Sequence, residues 1–123
     1  MLRILCVDDD GLVLAITSDL LRALGHEVVE AIGGDRATIV IDEGEVFDLL
    51  VTDVHMPGGP GGPDLVQRAR RTRPDMPVIY FSGIEQVFLG TGDRVLRKPC
   101  TLGELQQAIA MATPPPQSSA AAL

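Results

Sequence analysis

The chain is 123 residues long, 46% apolar, and carries a formal charge of −7. That length fits one domain, no stretch approaches the roughly 20 apolar residues of a membrane span, and the acidic balance argues against non-specific binding to nucleic acid or an anionic membrane, both of which attract basic surfaces. Cys6 and Cys100 are too few for a disulfide framework and lack metal-ligand spacing, so reduced thiols in a cytoplasmic protein are expected.

Leu2 to Val7 is a short apolar run that ends in the carboxylates of Asp8 and Asp9, as a buried parallel strand does. It is too short, and too soon interrupted by acid, to be a signal peptide. Gly11 to Leu24 reads as a helix, with Val13, Ile16, Leu20 and Leu24 at spacings of three and four and Gly25 placed for a left-handed C-cap. On that face Leu14 points away from the core, which leaves Leu12 and Leu14 exposed beside the acidic cluster. Asp10 reads as the cap of this helix. His26 falls in the helix–strand link and reads as structural. A second strand follows over Glu27 to Ile32, then a helix over Asp35 to Glu43 carrying Ala37, Ile39, Val40 and Ile41 and closed by Gly44.

Phe47 to Thr52 is the third strand and delivers Asp53. Met56 to Pro63 is built largely of Pro and Gly and cannot be regular structure, because Pro lacks a donor and Gly loses backbone entropy. A helix resumes at Asp64 and stops before Pro74. Pro77 to Phe81 forms the fourth strand, leading to Ser82, and Arg94 to Arg97 the fifth, leading to Lys98. The link between Ser82 and Arg94 is short and carries Gly90 and Gly92, so a fourth helix should be stunted or absent there. Thr101 with Glu104 is a capping box, opening a last helix whose apolar face is Leu102, Leu105, Ala108, Ile109 and Ala112. The domain thus covers 1–112, with an unstructured Pro/Ser/Ala-rich tail over 113–123.

Alternating strands and helices imply parallel βαβ units with right-handed crossovers. In such sheets the carboxyl ends of the strands converge on one rim, where ligand crevices form. Asp8, Asp9, Asp53, Ser82 and Lys98 each sit at a strand end, so three carboxylates, a hydroxyl and an ammonium meet there. Two like charges about 4 Å apart repel by roughly 4 kcal/mol at an effective dielectric of 20, so the carboxylates must hold a proton or bind a cation. All-oxygen ligands suit Mg²⁺, which would let Asp53 attack an incoming phosphoryl group and form an aspartyl phosphate. Lys98 then pairs with one phosphate oxygen and Ser82 donates to another.

Val7-Asp8-Asp9, Thr52-Asp53-Val54-His55-Met56-Pro57, Ser82-Gly83 and Leu96-Arg97-Lys98-Pro99 together resemble the ordered motifs of the receiver domains of two-component signalling, across nearly the whole chain outside the tail. The resemblance implies a flavodoxin-like, doubly wound, five-stranded parallel α/β sheet of strand order 2-1-3-4-5. It implies that Asp53 is the phosphoacceptor, that Asp9 and Asp53 bind Mg²⁺ through side chains together with the backbone carbonyl of His55, and that Asp8 holds a metal-bound water. Ser82 is the switch hydroxyl and Lys98 the phosphate-binding lysine. The implied partner is a histidine kinase or histidine phosphotransfer protein, with a protein target downstream. The implied chemistry is limited to self-catalysed phosphorylation and dephosphorylation of the aspartate.

Two departures stand out. Val95 occupies the position, three before the lysine, where the family usually has an aromatic residue. The loop Pro57 to Pro63 is one residue longer than the common pattern. With Phe81-Ser82-Gly83, these features are similar to the atypical FAT GUY receivers. Ile84 and His55, each two residues past a site residue, are placed to overhang the phosphoryl group and gate water, the alternative for His55, and the one favoured, being an exposed loop imidazole whose backbone alone contributes. Two other readings stay open. Asp8-Asp9-Asp10-Gly11 with Ser82 and Lys98 is similar to haloacid-dehalogenase-type phosphatases, which also need an acidic pair after the lysine, where this chain offers Glu104. The other is a receiver fold used as an unphosphorylated scaffold.

Overall fold

The central strands read as apolar runs because both faces of the sheet are covered there. The computed structural model describes residues 1–82, 94–98 and 100–113. In chain order these form β1 (Arg3–Asp8), α1 (Gly11–Ala23), β2 (Glu27–Ile32), α2 (Gly33–Asp42), β3 (Leu49–Asp53), α3 (Gly62–Ala69), β4 (Val78–Ser82), β5 (Arg94–Arg97) and α4 (Leu102–Ala112). The sheet is parallel throughout, in the order β2-β1-β3-β4-β5 that the receiver resemblance implies. Alternate side chains of each strand face opposite layers. Ile4, Cys6, Leu49, Val51, Ile79 and Phe81 pack with Leu14 and Leu21 of α1 and Leu105 and Ile109 of α4. Leu5, Val7, Leu50, Val78 and Tyr80 pack with Ala37 and Val40 of α2 and Leu65, Val66 and Ala69 of α3.

The first helix differs from the face predicted for it. Leu14 is 5% exposed, whereas Ile16 is 53% and Leu12 72% exposed. The buried stripe is Leu14, Thr17, Ser18 and Leu21, so the expected exposure of Leu14 is wrong. Two of its four members are polar and invisible to an apolar count. Asp10 caps the helix, its side chain accepting from the Leu12 and Val13 N–H groups at 2.9 and 3.1 Å. At the other end Gly25 takes φ 94°, the left-handed conformation expected after the helix. In α2, which starts two residues earlier than expected, Ile39 faces solvent while Ala37 and Val40 are buried.

Other boundaries move for local reasons. The third helix opens at Gly62 because Pro63, near the helix start, loses nothing by lacking an N–H, and the Asp64 carboxylate accepts from the Gly61 N–H at 3.1 Å. Pro77 cannot donate to the ladder but offers its carbonyl to the Leu50 N–H at 3.0 Å, so β4 begins one residue later. The Thr101–Glu104 capping box forms as predicted, with Leu105 and Ile109 buried and Leu102 left exposed. The predicted stunting of a helix between Ser82 and Arg94, the positions of Gly90, Gly92 and Ile84, and the tail from residue 114 lie outside the described residues. Among the described residues no helix is long and apolar enough to cross a membrane.

Candidate functional site

Three strand ends build the site. Asp8 closes β1, Asp53 closes β3, and Asp9 follows β1 directly. Carboxylate oxygens of all three lie within 4.8 Å of one another, with Asp8 buried, Asp53 half-buried and Asp9 exposed. The Lys98 ammonium, just past β5, reaches back to Asp8 at 2.8 Å and Asp53 at 3.1 Å. Sequence reasoning assigned Lys98 a phosphate oxygen; without a phosphate its ammonium bridges the two carboxylates that would otherwise repel. Asp8 is held further by the Asp10 N–H, which donates to its Oδ1 at 2.9 Å.

Burial pushes the Asp53 carboxyl above its ordinary value, aided by the Asp8 charge and opposed by Lys98. Burial works against the Lys98 ammonium too, but its hydrogen bonds to Asp8 and Asp53 outweigh that, and it holds its proton more tightly than a free lysine. At this site three carboxylates face one ammonium. The surplus of two matches a divalent cation, and a set of oxygen donors suits a hard one. The residues present therefore fit Mg²⁺.

The remaining predicted residues take different places. Ser82 ends β4, in register with Arg97 of β5. His55 is exposed, two residues beyond Asp53. Val95 is 48% exposed on β5, in register with the buried Tyr80. Cys100 is half-buried and packs against the layer that holds Leu105 and Ile109. Glu104, the acid a phosphatase reading needs, is exposed on α4 and accepts from the Thr101 N–H at 2.8 Å. Its cap role leaves that reading without its second acidic residue. Sequence reasoning placed Leu12 beside the site, as observed, but missed the rest of the apolar surface there: Ile16 lies one turn from Leu12 on α1, and Ile32, at the end of β2, is 57% exposed. Only the correct phase of α1, set by Thr17 and Ser18, would have shown it.

Comparison with known proteins decides the family. The model of the response regulator receiver domain matches residues 4–110. The chain belongs to this family. Over 82 residues the receiver is 42% identical to the two-component response regulator ARR14 of Arabidopsis thaliana, covering 66% of this chain and 21% of that protein. The first curated relatives are much longer, and the receiver spans only 11% to 21% of their lengths. It is 39% identical to the receiver domain of the hybrid histidine kinase CckA, with a TM-score of 0.75 over 89% of this chain and 97% of that one. A receiver domain of a Pseudomonas aeruginosa sensor histidine kinase, solved with magnesium coordinated in its active site cleft, shares the fold at 22% identity and TM-score 0.78, covering 90% of this chain and 96% of that one. Receivers of this family thus occur both in response regulators and within sensor kinases.

Proposed function

We propose that this receiver takes a phosphoryl group onto Asp53 from a histidine kinase or histidine phosphotransfer protein in a Mg²⁺-dependent reaction in the cytoplasm. The observation that carries the reading is the Asp53 carboxylate lying both within the three-carboxylate cluster and 3.1 Å from the Lys98 ammonium. Asp9 and Asp53 would ligate Mg²⁺ with the His55 backbone carbonyl, and Asp8 would hold a bound water. When bound, the ion neutralises charge on the phosphoryl oxygens and orients them for in-line attack. An oxygen of Asp53 attacks phosphorus, the P–N bond to the donor imidazole breaks, and the imidazole leaves with the bonding pair. Lys98, released from Asp53, pairs with a phosphoryl oxygen, and the Ser82 hydroxyl donates to another. The protein's part is positioning and charge compensation, so a small phosphodonor should suffice without a kinase.

Docking of the kinase falls to the apolar surface of α1. Leu12 and Ile16, one turn apart and exposed beside Asp9, are the contact residues, whereas Leu14 is buried. A helical partner fits such an i, i+4 apolar pair.

Incubation with acetyl phosphate and Mg²⁺, followed by intact mass, tests the function. One phosphoryl adduct is expected in the native protein and none in Asp53→Asn. Steady hydrolysis of phosphate esters that depends on Asp8 and survives Asp53→Asn would establish the phosphatase reading instead. No adduct from acetyl phosphate or from a phosphorylated kinase would leave the scaffold reading.

A further inference from the structure

Gly34 lies buried in the first turn of α2, where nothing in its own backbone calls for glycine. Its φ is not among the positive ones; Gly33 before it, at φ 83°, makes that turn. Inside a helix glycine costs about 1 kcal/mol relative to alanine, so a different constraint must apply. That constraint is a close approach. A Cβ on Gly34 would overlap the carbonyl of Pro60 and come within 3.0 Å of the Pro60 nitrogen. These are backbone atoms, so no side-chain rotation relieves the overlap.

Pro60 belongs to the loop that leaves the phosphoacceptor. Past Pro60, the Gly61 N–H is held by Asp64 at 3.1 Å. The Gly62 N–H donates to the Val54 carbonyl at 2.9 Å, and the Val54 N–H donates to Phe81 of β4 at 3.1 Å. Val54 is bonded to Asp53, and the next residue is His55. The loop is therefore pinned at both ends and seated in the middle against bare backbone of α2. Restoring van der Waals separation around a methyl group at residue 34 requires a displacement on the order of 1 Å. Pinned as it is, the loop must pass part of this back to residues 54 and 55.

Building on the receiver reading above, we propose that Gly34 is a positioning residue for the metal and phosphoacceptor site. The absent side chain makes α2 a seat for the loop at residues 57–61, and the seat sets the backbone of Val54 and His55 against Asp53. It acts through the loop and touches neither metal nor phosphoryl group.

The test compares native protein, Gly34→Ala, Pro60→Gly and, as a control, Arg36→Ala, whose residue is exposed on the same helix. Two readouts avoid phosphorylation: amide hydrogen exchange at Val54 and Gly62 in EDTA, and the Mg²⁺ dissociation constant by calorimetric titration. Gly34→Ala is expected to speed exchange at both amides and to weaken Mg²⁺ binding about tenfold, since misplacement by 1 Å is costly in such sites. Its denaturation midpoint should fall as well, by less than the overlap alone would cause, because alanine's better helix propensity offsets part of the strain. Pro60→Gly, which loosens the loop and leaves α2 intact, should reproduce both effects if the alanine variant fails to fold. Arg36→Ala should match native protein. Native-like exchange and Mg²⁺ affinity in the folded Gly34→Ala protein, or in Pro60→Gly, would overturn the proposal, as would a fall in stability with Mg²⁺ affinity unchanged. Failure of native protein to bind Mg²⁺ would strike the receiver reading itself, and exchange in EDTA would still test the seat.

Discussion

Lys98 sits between Asp8 and Asp53 because each carboxylate, with little solvent around it, needs a positive neighbour. In Lys98→Met the two acids lose that neighbour. Chemical denaturation in EDTA should then show a loss of about 1–3 kcal/mol, the cost of stranding partly buried charge. Saturating Mg²⁺ should recover most of the loss by supplying charge to the same oxygens. An equal loss with and without Mg²⁺ would mean that the lysine acts by packing and not as a counter-ion.

His26 shows how a residue read as structural earns that role. The Leu2 N–H donates to its Nδ1 at 3.1 Å, so the ring must be neutral there. Burial, with the nearby N-terminal charge, lowers its pKa below the ordinary 6.5. The unfolded chain thus binds this proton more readily than the folded one, and stability rises with pH across that interval. The contribution is complete above pH 6.5 and disappears as pH falls through the folded value. Subtracting the pH–stability curve of His26→Gln from that of native protein should isolate a downward slope below pH 6.5. Parallel curves would show that the ring does not carry it.

At the scale of elements, α1 is the instructive case. It carries two apolar stripes, Leu12 and Ile16 facing out and Leu14 and Leu21 facing in. Periodicity alone cannot rank such stripes: it grouped the exposed Ile16 with Leu20 and Leu24, which do pack partly against the core, and it missed Leu14 because Thr17 and Ser18, both buried, count as polar. The consequence is measurable in a pair of substitutions. Leu14→Asp should cost at least about 3 kcal/mol, from lost packing plus a buried charge. Leu12→Asp should change stability by less than about 0.5 kcal/mol, leave labelling by acetyl phosphate intact, and slow transfer from a phosphorylated kinase. Unaltered transfer in Leu12→Asp would place the docking surface elsewhere.

At the scale of the whole molecule, the architecture was far more legible than the helix faces. Strands buried on both sides read as plain apolar runs, and the charged residues that end or follow three of the strands mark the rim. Asp8, Asp9, Asp53 and Lys98 were found this way, and they do converge. Less legible was anything that depends on backbone proximity. The approach of Pro60 to Gly34 joins residues 26 positions apart and leaves no pattern in a sequence where glycine is frequent. The Lys98 bridge was half legible: its location follows from the strand order, but its partner in the unphosphorylated protein follows from charge balance at a site assembled from three strands.

The central claim is the identity of one nucleophilic oxygen, and peptide mapping reads it directly. After exposure to acetyl phosphate and Mg²⁺, borohydride reduction converts an acyl phosphate to a stable alcohol that mass spectrometry of peptides can locate. Reduction is expected at residue 53 alone, converting Asp53 to homoserine, and none when Mg²⁺ is withheld. Reduction at Asp8 or Asp9, with Asp53 recovered unchanged, would contradict that claim.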